Sequence, residues 1–189
     1  MQTVLNHVAL LLPSVEKASA FLSPLGFKIN SAAEWEGEGT LEIYVGDLQN
    51  QMANLLLMEP VKDGAYTHAM KKRGPGLHHV AIDVLDMGSF IESIAGSGWL
   101  LHPKSLKMIQ QSKTAYLARP GMPTLIEVQQ RESLSRHLPL VEEIRLPNLS
   151  ARDLQMFQAL GLHQISHLPG QDKIEFILAG KVINFSSLI

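Results

Sequence analysis

The sequence predicts an α+β fold made of three copies of one βαβββ unit. Three stretches, 5–27, 77–99 and 141–162, each begin with a short apolar run, continue through a polar turn and then show apolar residues at helical spacing. The spacing is conserved between copies: 19 residues separate His7 from Gly26, and 19 separate His79 from Gly98. Such self-similarity indicates duplication of one structural unit.

The helix of each copy is predicted from a stripe of apolar residues at i, i+3, i+4 and i+7, which buries one face. Each stripe ends at a glycine, Gly26, Gly98 or Gly161, and glycine readily adopts the left-handed conformation that terminates helices. In the third copy Ser150 and Asp153 match a capping box, with Asp in the position of Glu.

Strands are predicted after each glycine because short runs rich in β-branched and aliphatic residues follow it. The clear runs are 40–45 and 53–58 in the first copy, 114–118 and 124–129 in the second, and 162–166, 173–178 and 181–186 in the third. Weaker patterns predict one more strand near 28–35 and another near 100–110. Polar segments with Gly and Pro, 60–76 and 130–139, join the copies, and the first is expected to hold a short helix around 65–72.

Composition is that of a globular protein and excludes several classes. The 189 residues are 46% hydrophobic and 18% charged, with a net charge of −2, so nucleic acid and anionic membranes are not expected partners. Cysteine is absent, which excludes disulfides and thiolate chemistry. The N-terminal apolar run is too short to span a bilayer, and we expect a cytoplasmic protein of one domain, with or without a small appendage.

Histidines open two of the repeated strands. In "GLHHVAIDV" (76–84) neighbouring side chains should face opposite sides of a sheet, so His79 is expected to match His7 while His78 faces away. A single histidine at the start of a strand usually serves structure. Two at equivalent positions of a repeat can converge if the copies pack as a pseudo-symmetric pair.

Glu127 supplies a third polar group, in the middle of the apolar run "TLIEVQ". A carboxylate there is costly unless it is paired or bound to a cation, although it could also lie on a solvated sheet face. Two imidazoles and a carboxylate form a common divalent-metal arrangement. The position of the first copy that corresponds to Glu127 is Leu55 or Leu56, and neither can bind a metal. The third copy has Glu143 in place of the histidines.

The chain resembles the vicinal oxygen chelate superfamily, and within it the methylmalonyl-CoA epimerase branch. The stretch "EPVKDGAYTHAMKKRGPGLHHVAIDV" carries the resemblance, together with "NHVALLLPSVEKASAFLSPLGF" and "AYLARPGMPTLIEVQ", over roughly residues 3–130. It implies a cupped, largely antiparallel sheet with flanking helices, built from paired modules at 1–60 and 76–130. Residues 139–189 then form a diverged third module.

The resemblance also implies functional residues. It places metal ligands for a divalent ion (Co, Mn, Ni, Zn or Fe) at His7, His79 and Glu127, while the fourth ligand of the family falls on Leu56. Glu127 and either Glu36 or Glu38 would be the catalytic bases that exchange a proton next to a thioester carbonyl.

Two other functions remain open at this stage. An Fe(II) extradiol-type dioxygenase uses a similar two-histidine, one-carboxylate site, and Tyr116 lies roughly where that group has a tyrosine. A drug-sequestering protein of the same superfamily would bind a small molecule without catalysis. The expected partner is a small-molecule substrate. An acyl-CoA is the candidate that the resemblance suggests, and its phosphates could contact the lysines and arginine at 71–73. We expect the third module to pack on the first two or to pair across a homodimer.

Overall fold

The computed structural model describes residues 2–170 and 172–189 and confirms the predicted α+β class. Its strands are β1 Thr3–Leu11, β2 Ala33–Trp35, β3 Thr40–Val45, β4 Gln51–Met52, β5 Asn54–Pro60, β6 Gly76–Val84, β7 Leu100–Leu101, β8 Thr114–Ala118, β9 Leu125–Gln130, β10 Leu138–Pro139, β11 Val141–Pro147, β12 Ile165–Leu168, β13 Glu175–Leu178 and β14 Lys181–Asn184. The α-helices are α1 Val15–Leu22, α2 Ala65–Arg73, α3 Met87–Ser93, α4 Ser105–Ser112 and α5 Ala151–Ala159. Two 3₁₀ helices cover Ser23–Leu25 and Phe185–Ser187.

The main sheet has eight strands in the order β2-β3-β5-β1-β6-β9-β8-β7. Its two halves mirror each other: β1 and β6 pair antiparallel at the centre, and each has a parallel neighbour, β5 or β9. The outer pairs are antiparallel. This order confirms the expected pairing of the first two modules in a largely antiparallel sheet.

The third module has its own four-stranded sheet, in the order β12-β11-β13-β14, and packs on the first two. Its apolar residues join the core cluster that holds the buried faces of α1 and α3. Trp99 Nε1 donates to the Met156 carbonyl over 3.2 Å, and Thr3 Oγ1 donates to the Leu160 carbonyl over 2.8 Å. The expected homodimer and the module boundaries at 60, 76, 130 and 139 stay predictions.

Gly161 shows why the third helix must end at a glycine. Its φ is +80°, and a Cβ at this position would lie 2.0 Å from Thr3 Oγ1. The Ser150 cap is also confirmed, because its hydroxyl accepts from the Asp153 backbone N–H over 3.1 Å. Asp153 departs from the capping box, since its carboxylate accepts from the Ser150 hydroxyl rather than from the backbone.

Several predicted boundaries are wrong. The region 100–110 contains only the two-residue strand β7 and then helix α4. The run 162–166 becomes a strand only at Ile165, and the last strand ends at Asn184, where a 3₁₀ helix follows. The predicted short helix at 65–72 is confirmed as α2. No helix in the described ranges is long and apolar enough to cross a membrane.

Candidate metal centre

Register across the middle of the main sheet brings three polar side chains together. Ala81 of β6 pairs with His7 of β1 on one flank and with Glu127 of β9 on the other. His79 lies two residues before Ala81 and therefore on the same face of β6. His7, His79 and Glu127 are all buried, with 4%, 3% and 7% of their surface exposed. One nitrogen or oxygen from each lies within 4.8 Å of the other two.

The separations fit a single ion. His7 Nε2 lies 3.1 Å from His79 Nε2, and Glu127 Oε2 lies 3.2 Å from His79 Nε2 and 3.8 Å from His7 Nε2. A triangle with these sides has a circumradius of about 2.0 Å, which matches metal–nitrogen and metal–oxygen bonds of about 2.0–2.2 Å. All three atoms can thus bind one cation without moving apart.

The protonation of the two imidazoles suits this role. His7 Nδ1 donates to Asn6 Oδ1 over 2.7 Å, so its Nε2 presents a lone pair to the centre. Burial and the neighbouring His79 lower the pKa of His7 to about 3, which keeps the ring neutral. His79 Nδ1 shares a hydrogen bond of 2.9 Å with His78 Nδ1. When His79 donates in that bond, its own Nε2 lone pair also faces the centre.

The carboxylate completes an anionic set. Burial opposes ionisation of Glu127, but hydrogen bonding and charge from His79, the charge of His7 and a hydrogen bond from Gln129 lower its pKa to about 2. Without a metal, a proton on His79 Nε2 serves these contacts, since that nitrogen lies 3.1 Å from His7 Nε2 and 3.2 Å from Glu127 Oε2. When that proton is absent, two lone pairs and a carboxylate face one another, and a cation among them stabilises the arrangement. The donor set therefore fits a divalent metal such as Zn²⁺, Co²⁺ or Fe²⁺.

Two β-bulges shape the site, and one of them corrects the prediction for His78. In the β1–β6 ladder Leu5 pairs with Ile82 but His7 pairs with Ala81, which leaves Asn6 as an extra residue. A second shift lies between Ala9, which pairs with His79, and Leu10, which pairs with Leu77, and it leaves His78 as an extra residue of β6. A bulge re-aims side chains that would otherwise alternate. His78 accordingly contacts His79 and packs against Tyr66, with ring centroids 4.9 Å apart, instead of facing away.

A cavity of about 120 Å³ opens over the three groups. Its lining residues are His7, Trp35, Glu38, Glu42, Tyr44, Leu56, Met58, Tyr66, His79, Tyr116, Glu127 and Gln129. Leu56, where the resemblance places a fourth ligand, contributes an aliphatic wall. The candidate centre thus offers three protein groups that could hold a metal, and a metal bound there would have its other coordination positions open to water or substrate.

The structure separates the two glutamates that the sequence offered. Both are exposed, but Glu38 lines the cavity and accepts a hydrogen bond from the Tyr66 hydroxyl over 2.8 Å, whereas Glu36 is absent from the lining. Glu42, which the sequence reasoning missed as a functional residue, is more deeply placed, with 8% of its surface exposed. Burial raises its pKa, partly offset by the Thr40 hydroxyl, which donates to Glu42 Oε1 over 2.8 Å. Its signal was a single charge inside the apolar run "TLEIYV".

Three tyrosines surround the cavity and remain neutral hydrogen-bonding groups. Burial raises the pKa of Tyr44 to about 12 and also raises those of Tyr66 and Tyr116. Tyr116 pairs with Glu127 across β8 and β9. None of the three phenols is set up to act as a base near neutral pH.

Comparison with known proteins identifies a family for more than half of the chain. The family model described as Glyoxalase/Bleomycin resistance protein/Dioxygenase superfamily matches residues 6–116. A search of curated proteins gave no match.

Solved structures share the fold at low sequence identity. A hypothetical protein from Bacillus halodurans is 18% identical with a TM-score of 0.58, over 72% of this chain and 100% of its own. Methylmalonyl-CoA epimerase from Mycobacterium tuberculosis is 19% identical with a TM-score of 0.51, over 67% of this chain and 87% of its own. A Streptomyces coelicolor methylmalonyl-CoA epimerase variant in complex with 2-nitronate-propionyl-CoA is 17% identical with a TM-score of 0.51, over 67% of this chain and 97% of its own.

Proposed function

This chain belongs to the Glyoxalase/Bleomycin resistance protein/Dioxygenase superfamily, and from that premise we propose that it is a metal-dependent enzyme that removes a proton from a carbon next to a carbonyl. The observation that carries the proposal is the buried convergence of His7, His79 and Glu127 on one point. We propose these three as the metal ligands. A bound divalent ion would stabilise the negative charge that develops on the carbonyl oxygen.

The side chains around the ligands supply the bases. Epimerisation needs one group to take the proton and another, on the opposite face of the carbon, to return one. We propose Glu127 for one face and Glu42 for the other. The buried Glu42 carboxyl has a raised pKa, which suits a group that must hold a proton briefly. Glu38 lines the same cavity and is kept as a further candidate, while Glu36, which lies outside the lining, has less support.

An acyl-CoA is the substrate class we propose, in a methylmalonyl-CoA epimerase-like reaction. The cavity of about 120 Å³ accommodates a short acyl group, and the rest of a CoA ester would lie outside it. The structural neighbours support this class, since one was solved with 2-nitronate-propionyl-CoA. The basic segment 71–73 was expected to contact the CoA phosphates. Within it, the Arg73 guanidinium donates to the Pro123 carbonyl.

An Fe(II) dioxygenase is the second candidate. Two histidines and one carboxylate with open positions also form the ligand set of non-haem iron oxygenases. Tyr116 supports this alternative, because its ring centroid lies 6.2 Å from that of His79. Drug sequestration has less support, because the cavity is well below the roughly 300 Å³ that drug-sized ligands require.

Metal analysis with two activity assays tests the proposal. Untagged protein should contain close to one divalent ion per chain, and His7→Ala should lose it, whereas His163→Ala, which alters an exposed histidine, should not. The metal-loaded protein should exchange the α-proton of methylmalonyl-CoA with solvent deuterium and consume no oxygen. Oxygen consumption with a catechol would support the dioxygenase instead. If the wild type purifies without metal and binds a small molecule equally well without it, both enzyme proposals are contradicted.

A further inference from the structure

We infer that an ion pair between the buried Asp83 and the exposed Arg131 acts as a positioning device that holds two of the three proposed ligands in their metal-binding state. The inference deepens the proposed function and rests on its metal site. Asp83 is on β6, two residues beyond Ala81 and on the same face, and has 7% of its surface exposed. Arg131 Nε donates to Asp83 Oδ1 over 3.1 Å.

One branch of the network leads from Asp83 to His7. Asn6 Nδ2 donates to Asp83 Oδ2 over 2.8 Å, and Asn6 Oδ1 accepts from His7 Nδ1 over 2.7 Å. An ionised carboxylate only accepts, so Asp83 must face the NH₂ group of Asn6. The amide oxygen of Asn6 is thereby turned to His7. It fixes the proton on Nδ1 and leaves the lone pair on Nε2, as a metal requires.

The other branch leads from Arg131 to Glu127. The Arg131 guanidinium donates to Gln129 Oε1, and Gln129 Nε2 donates to Glu127 Oε1 over 2.6 Å. A guanidinium only donates, so it must face the amide oxygen of Gln129. The NH₂ group of Gln129 is thereby turned to Glu127, where it holds one carboxylate oxygen and leaves Oε2 for the centre.

The two branches need opposite amide orientations, and the ion pair supplies both. Its anionic half orients Asn6 as an acceptor toward His7, and its cationic half orients Gln129 as a donor toward Glu127. The backbone places these groups accordingly: Asn6 is the extra residue of the β1 bulge, and Asp83 pairs directly with Gln129 between β6 and β9. A purely structural ion pair would not require either arrangement.

Cobalt binding by Asp83→Asn tests the inference. The replacement has the same shape, but its NH₂ group must face either Asn6 or Arg131, both of which donate, so one branch loses its orientation. We expect the dissociation constant for Co²⁺ to rise about 10- to 100-fold, the usual effect of losing an outer partner of a metal ligand. We also expect an altered visible spectrum of the bound Co²⁺. In the metal-free protein, ¹⁵N NMR should show His7 as the Nδ1–H tautomer in the wild type and as a mixture in the variant.

Two further variants complete the test. Asp153→Asn is the matched control, because Asp153 also pairs with an arginine, Arg119, at 2.5 Å but away from the centre. It should leave the Co²⁺ affinity and spectrum unchanged even if it lowers the melting temperature. If Asp83→Asn does not fold, Asn6→Ala is the second variant: it removes the acceptor for His7 and the donor to Asp83 at a half-buried position, and it should weaken Co²⁺ binding in the same direction.

Different outcomes separate this inference from the metal site itself. Wild-type affinity, spectrum and tautomer in both Asp83→Asn and Asn6→Ala would overturn the positioning role while leaving the proposed site intact. If the wild type binds no Co²⁺, or if His7→Ala binds Co²⁺ as tightly as the wild type, the metal site is wrong and the positioning role is wrong with it.

Discussion

Ala81→Val tests whether a substitution beneath the candidate centre weakens metal binding beyond its effect on the stability of the sheet. Ala81 pairs with both His7 and Glu127, and only its methyl group lies beneath the three proposed ligands. The residue is fully buried, at 0% exposure. Two added methyl groups must push at least one ligand away from the shared point.

The magnitude of this effect has two parts. Overpacking a buried position costs about 1–3 kcal/mol, and for a chain of this size each kcal/mol lowers the melting temperature by about 2–4 °C, so we expect a fall of about 2–12 °C. Metal binding requires the ligand distances to be kept within about 0.2 Å. We therefore expect the dissociation constant for a divalent ion to rise by about tenfold or more, comparable with the loss of an outer partner.

Ala115→Val is the control. Ala115 of β8 is also at 0% exposure, but it belongs to the core cluster on the opposite face of the same sheet. It should lower the melting temperature by a similar amount and leave metal affinity unchanged. Calorimetric titration and thermal unfolding on both variants measure the two effects. Equal metal affinity in Ala81→Val and the wild type would refute the placement of the ion above Ala81.

The other predictions concern the second base and the third module. Glu42→Gln should lower the rate of α-proton exchange by about 100-fold or more with unchanged metal affinity, and an unchanged rate would exclude Glu42 as a base. Because burial raises the pKa of Glu42 above 4.5, the wild-type exchange rate should fall as the pH drops through that raised value, where the carboxylate becomes protonated; a rate set by a glutamate of ordinary pKa would fall only at lower pH. Phe157→Ala removes a fully buried ring whose centroid lies 5.6 Å from that of Trp99. The free energy of unfolding, measured with urea, should fall by about 3–5 kcal/mol. The exposed Val182→Ala should change stability by less than about 0.5 kcal/mol, and a similarly small effect of Phe157→Ala would contradict the packing of the third module.

Repetition made the fold predictable. The equal spacing from His7 to Gly26 and from His79 to Gly98 required two equivalent units, and equivalent units place their first strands at the centre of one sheet. Two of the proposed ligands, His7 and His79, followed from the same symmetry, since matched positions on two central strands lie close together. Glu127 has no counterpart in the first copy and was predicted from its place in an apolar run. What the pattern could not supply is the short β7, because two residues carry no periodicity that distinguishes a strand from a turn.

The remaining parts of the site depend on features without a sequence signature. The bulges at Asn6 and His78 break the alternation that predicts which side a residue faces, and so His78 was assigned to the wrong one. Glu42 was overlooked because a charged residue in a short strand is as compatible with a solvated face as with a buried cavity. Only the residues that line the cavity with it, such as Met58 and Tyr66, decide between these environments.

The location of a bound ion tests the central claim most directly. Crystals of the protein grown with Co²⁺ can be measured at the cobalt absorption edge, where an anomalous difference map distinguishes the ion from lighter atoms. We predict one strong peak within about 2.0–2.2 Å of Nε2 of His7, Nε2 of His79 and a carboxylate oxygen of Glu127. A peak on other side chains, with the two imidazoles still hydrogen-bonded to each other, would contradict the account.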